Sequence, residues 1–247
     1  MRNHLSFRSG NPALQSKTFE SRTHSSSGTM TLEGTINKTS LSLLFLMLTA
    51  FYTWNNPNPG LMIFGGIGGF IVAIITVFKK HLAVYTTLIY SGLEGLFLGG
   101  ISRFYQINYG DEIVGQAIFL TFAIFAALLF AYKSKIIKPT ENFKLGVFAA
   151  TAGIGLLYFV SFIMSFFGSR LPLMNPANTS MFSIGFSVFV VIIASLNLVL
   201  DFDFIEEGAE NGAPRYLEWY GAFGLIITLV WLYLEILRLL AKLQSRR

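Results

Sequence analysis

Apolar runs long enough to cross a hydrocarbon layer of about 30 Å recur along most of this chain, and that leaves few folds open. They fall at about residues 39–54, 61–77, 82–104, 113–132, 145–167, 182–200 and 219–240. Each is too long for a barrel strand and none alternates with period two, so each reads as a helix that satisfies its own backbone in lipid. With 53% of residues hydrophobic and 13% charged, the 247 residues leave no room for a soluble enzyme domain. The predicted fold is an all-α integral membrane protein, a bundle of seven transmembrane helices.

The longest polar stretch is residues 1–36, rich in Ser, Thr, Asn and Gly and without apolar periodicity. It reads as a mobile tail ahead of a transmembrane domain over 37–247. It is not a signal peptide, because no short apolar region and cleavage site follow its basic start. Cysteine is absent, which excludes disulfides, thiolate metal sites and cysteine nucleophiles. No His-Glu-x-x-His helix or Gly-x-Ser-x-Gly elbow occurs, so no enzymatic activity is expected. No cofactor or nucleic-acid partner is expected either.

Orientation follows from the basic residues. Arg2, Arg8, Lys17, Arg22 and Lys38 precede the first span, Lys79 and Lys80 follow the second, and Lys133, Lys135, Lys138 and Lys144 follow the fourth. Alternate turns carry at most Arg103 and Arg170, so the N-terminus is expected in the cytoplasm. Seven spans then put the C-terminus outside, against the charge of Arg238, Lys242, Arg246 and Arg247. A re-entrant last segment would remove the conflict, but about 22 residues at about 1.5 Å each favour a full crossing.

Glycines cluster within spans two and three. Gly65 with Gly69, and Gly95 with Gly99, have the four-residue spacing that lets helix backbones approach closely. Without a preceding strand or a Lys-Ser/Thr pair they do not read as a phosphate loop.

Ionisable side chains inside the spans are costly in lipid and therefore point to function. Glu94 lies near the middle of the third span, Glu235 deep in the last, and Asp201 at the end of the sixth. Glu235 stands one turn before Arg238, as in a helix-end ion pair. Asn197, four residues before Asp201, shares its helix face, whereas Asp203 is turned about 200° away. Lys79 and Lys80 close the second span on the same inner side and offer Asp201 a partner. The acids Asp201, Asp203, Glu206, Glu207 and Glu210 concentrate negative charge at the inner mouth, as an ion or proton site would require.

The segment Leu200-Asp201-Phe202-Asp203-Phe204-Ile205, followed by Ala209, Glu210, Asn211, Gly212 and Tyr216, resembles the signature of the Bax-inhibitor family, also known as the transmembrane Bax-inhibitor-motif or YccA-like proteins. Glu94-Gly95 is similar to that family's glutamate-glycine pair, and Ser9-Gly10-Asn11-Pro12-Ala13-Leu14 resembles a bacterial branch. The resemblance implies a seven-helix bundle with the last helix central, in a bacterial inner membrane, acting as a pH-sensitive calcium leak. It also implies that an aspartate ending span six, here Asp201, shares a proton with an aspartate in the last span and is latched by a basic residue, here Lys79 or Lys80. The second aspartate is missing: its place falls near Leu225 or Ile226.

Two neighbouring carboxylates resist double ionisation and so respond to pH, whereas one carboxylate beside a lysine stays charged. Either the pH response is weakened, or Glu94 replaces the missing partner. Glu94, Asn197, Asp203 and Glu235 are then the expected ion path, with Asp201, Lys79 and Lys80 as pH sensor and gate. Calcium suits oxygen ligands, but so few acids make no high-affinity metal cage, only low-affinity permeation. Two other functions compete. One is a membrane regulator that acts by contact with a partner such as a membrane-bound protease, its basic tail suited to a protein or to the lipid bilayer. The other is a cation/proton exchanger, which also uses mid-membrane carboxylates.

Overall fold

A computed structural model describes residues 28–169 and 171–246, and among these the secondary structure is helical, apart from one isolated bridge. Seven long helices follow one another: α1 (Leu32–Asn55), α2 (Pro59–Phe78), α3 (Ala83–Tyr109), α4 (Ile113–Lys133), α5 (Glu141–Phe166), α6 (Met181–Glu210) and α7 (Leu217–Gln244). Local chemistry fixes several starts. Thr31 Oγ1 accepts from Gly34 N, Asn58 Oδ1 from Gly60 N and Leu61 N with Pro59 at the first helical position, and Thr140 Oγ1 from Phe143 N. Gly212, with φ at 63°, supplies the left-handed residue in the α6–α7 turn.

The helices α2 to α7 are each long and apolar enough to cross a membrane. The 24 residues of α1 would span about 36 Å, yet Glu33, Lys38 and its hydroxyl side chains dilute its apolar run. Those hydroxyls return to the preceding turn: Thr39 Oγ1 donates to Thr35 O at 2.9 Å and Thr53 Oγ1 to Thr49 O at 3.0 Å. They line the buried face of α1, while Leu44, Leu48 and Phe51 are exposed.

Several element bounds differ from those expected. The tail does not extend to residue 36, because α1 begins at Leu32 and Met30 is already buried; residues 1–27 lie outside the described residues. Nor does the sixth helix end at Leu200. It continues through the acidic cluster to Glu210, so that Asp201 sits within a continuous helix of 30 residues. The last helix is unbroken over 28 residues, about 42 Å, which leaves no turn for re-entry. It is also the most buried of the membrane-competent helices, whereas α2, α4 and α5 are largely exposed.

The chain divides into two compact units. The described part of the first is 28–104 with 201–227, and of the second 105–169, 171–200 and 228–246. In the first unit the glycines do the packing expected of them. A Cβ on Gly65 of α2 would come within 2.5 Å of the Leu93 carbonyl oxygen, and one on Gly95 or Gly99 of α3 would collide with Leu46, Thr49, Ala50 or Thr53 of α1. Helix α3 is thus gripped from two sides, by α2 along Leu93 and Phe97 and by α1 along its own glycine stripe. In the second unit Ile154, Val190 and Ile193 form a core against which Tyr158, Phe186 and Trp231 pack, joining α5, α6 and α7.

Candidate functional site

Three contacts in the first unit fix the level of each side chain along α7. Thr87 Oγ1 of α3 donates to Trp219 O at 3.1 Å, and the Tyr90 ring meets the Phe223 ring edge-on with centroids 5.1 Å apart. Both sequence numbers rise together, so α3 and α7 run in the same direction. From α6, Ile205 Cγ1 stands 3.1 Å from where a Cβ on Gly221 would be.

Glu94 follows Tyr90 by four residues on the same helix face, and so lies level with about Ile227. Asp201 precedes Ile205 by four residues on a helix of opposite direction, and so lies level with about Leu225. The two carboxylates therefore occupy the same depth to within about one helical turn. That depth is the place of the missing acid: Leu225 and Ile226 are buried and apolar there. Asp201 is fully buried and Glu94 half-buried, its Oε2 3.0 Å from the position of a Cβ on Gly69. The absent side chain on α2 is what leaves Glu94 its room.

The structure separates the two lysines that spacing alone leaves equivalent. Lys79 is exposed at the end of α2, whereas Lys80 is half-buried and its ammonium lies 5.6 Å from the centroid of the buried Tyr220 ring. A cation over an aromatic face gains about 0.5–2 kcal/mol, more as water is excluded. Tyr220 neighbours Gly221, so Lys80 reaches a level about one to two turns from Asp201, toward the α6–α7 turn. Asp203 is half-exposed on α6, away from the fully buried Asp201.

In the second unit two expected path residues are engaged in packing. Asn197 Nδ2 donates to Thr151 Oγ1 and to Ile193 O, both at 2.8 Å, fastening α6 to α5. Its buried Oδ1 has no hydrogen bond among the described residues. Glu235, 2% exposed, accepts from Tyr158 Oη at 2.5 Å and from Arg238 at 2.8 and 2.9 Å, while Arg238 also donates to Tyr158 Oη at 2.8 Å. The ion pair expected at the helix end is present, with a tyrosine from α5 as its third member.

Three further side chains make polar contacts between elements. Tyr158 is one. Lys242, fully buried, donates to Leu173 O at 2.7 Å, Ser183 O at 3.1 Å and Ser187 Oγ at 2.8 Å. Glu218, buried at the head of α7, accepts from Thr31 N and Thr31 Oγ1 and pairs with Lys38. An acid or a base at the end of a long apolar run was the available signal for Lys242 and Glu218. Of the four basic residues near the C-terminus, Arg238 and Lys242 are engaged in contacts within the helix packing. Among the described residues no three His, Asp or Glu gather as a metal site would need.

Six membrane-competent helices with carboxylates buried between them define a multi-pass helical membrane protein. The chain belongs to the Bax inhibitor 1 like family, whose profile matches residues 11–245. A search of curated proteins finds no match.

Proposed function

We propose that the protein is a pH-sensitive, calcium-permeable leak of the Bax-inhibitor type and not an enzyme. In it Asp201 and Glu94 share the role of the carboxylate pair and Lys80 is the basic latch. The observation that carries this reading is the common depth of Asp201 and Glu94 beside the apolar pair Leu225 and Ile226. Two carboxylates that face each other in a poorly hydrated interior resist double ionisation, and on this reading the net charge of Asp201 and Glu94 changes with pH in coupled steps. Asp201 is fully buried, so any change in its charge alters the cost of that burial.

On this reading α1 is the seventh span. Its support is the exposure of Leu44, Leu48 and Phe51 at 57%, 59% and 70%, on the side opposite its hydroxyl face. The N-terminus lies in the cytoplasm of a bacterial cell and the C-terminus outside. Glu235 and Asn197 hold helices together in the second unit.

The test is calcium entry into liposomes carrying the purified protein and a trapped dye, over a pH series, for wild type and Asp201→Asn. Flux that depends on pH and changes in the variant is expected. Folded protein without flux at any pH would exclude the leak and favour a regulator that acts by contact.

A further inference from the structure

We propose that residues 28–31 form a strap that closes the inner end of the first unit, with the buried Glu218 as its catch. The proposal rests on the leak reading above and adds its regulation. The strap crosses the α6–α7 turn as extended chain: Thr29 and Pro214 form an antiparallel bridge, Met30 N donates to Ala213 O at 2.7 Å, and Arg215 N donates to Gly28 O at 3.2 Å. Met30 is 2% exposed, and its Cε stands 3.6 Å from where a Cβ on Gly221 would be. Ile205 meets the same point, so Met30 plugs the level one turn inward of Asp201.

Glu218 holds the strap down. It is 1% exposed and accepts from Thr31 N at 3.0 Å and Thr31 Oγ1 at 2.9 Å, while the Lys38 ammonium pairs with its other oxygen and Arg215 Nε stands 3.8 Å away. Gly34 makes the approach possible, because a Cβ there would overlap the Glu218 carboxylate. A carboxylate so buried is costly unless its donors are in place, and every strong donor it has comes from residues 31–38 or from the turn beneath. Lifting the strap removes the plug and both Thr31 donors, leaving Glu218 to Lys38 on α1 and to Arg215.

The chain has no cysteine, so Thr29→Cys with Pro214→Cys gives a clean crosslink between bridged neighbours, whose Cα separation of about 4.5–5.5 Å suits a disulfide. In calcium-loaded liposomes the oxidised double variant should conduct about tenfold less than the same protein after reduction, and Glu218→Gln about tenfold more than wild type. Thr31→Ala should move flux in the same direction as Glu218→Gln and serves where that variant fails to fold. Flux that is present but unchanged by crosslinking and by both substitutions overturns the strap and leaves the leak reading standing. Absence of flux in every form, reduced and uncrosslinked included, overturns the leak reading and the strap's control with it.

Discussion

Replacing Glu235 with Leu should destabilise the protein far more than replacing Glu235 and Arg238 together. Its carboxylate accepts from Tyr158 at 2.5 Å and from Arg238 at 2.8 and 2.9 Å, and is 2% exposed. Removing it alone leaves the Arg238 guanidinium, 22% exposed, without its counter-charge inside the helix packing. Breaking one side of such a buried pair costs about 3–5 kcal/mol. Replacing both members by apolar side chains of similar size removes the desolvation cost as well, and is often neutral to within about 1–2 kcal/mol. Since Arg238→Leu likewise strands the buried Glu235, the double-mutant cycle of Glu235→Leu and Arg238→Leu should show a coupling of about 4 kcal/mol or more, read from thermal unfolding in detergent. Additivity to within about 0.5 kcal/mol would refute the pairing. The folded double variant should also keep the pH response of wild type, since the account gives Glu235 no place on the ion route.

Other consequences are more local. Gly95→Val should prevent folding or cost more than about 3 kcal/mol, because its side chain must occupy the space of Thr49 and the Leu46 carbonyl, whereas Gly153→Ala, with nothing within 4 Å, should be neutral or stabilising by up to about 1 kcal/mol; thermal unfolding separates the two. Lys80→Ala should shift the pH response of flux and Lys79→Ala should leave it unchanged, because only Lys80 is turned inward over Tyr220. A C-terminal tag should be reached by an impermeant reagent from the side opposite the N-terminus; labelling of both ends from one side would contradict the seven-span path.

The spans were legible because a long apolar run has one stable solution in lipid, and the bounds of α4 fell within a residue of expectation. Polar residues at helix ends hid the rest. Thr31 followed by Glu33 is a helix start, yet its setting among Ser, Thr and Gly read as tail. The apolar run ends at Leu200, although Phe202, Phe204 and Ile205 beyond it are buried and carry α6 onward. Asp201 and Glu94 were legible as costly charges, but their common depth was not, since it depends on the Tyr90–Phe223 and Ile205–Gly221 contacts. The Thr31–Glu218 bond joins residues 187 apart, and no local pattern announces it.

The account turns on whether Glu94 stands in for the acid missing at Leu225 and Ile226. The direct measurement is the pH midpoint of calcium flux through reconstituted protein for wild type, Glu94→Gln and Ile226→Asp with Glu94→Gln. Coupled carboxylates predict that Glu94→Gln moves the midpoint by about one pH unit or more and that the added aspartate moves it back. A midpoint that stays in place when Glu94 is neutralised would contradict the pairing and leave Asp201 to act alone.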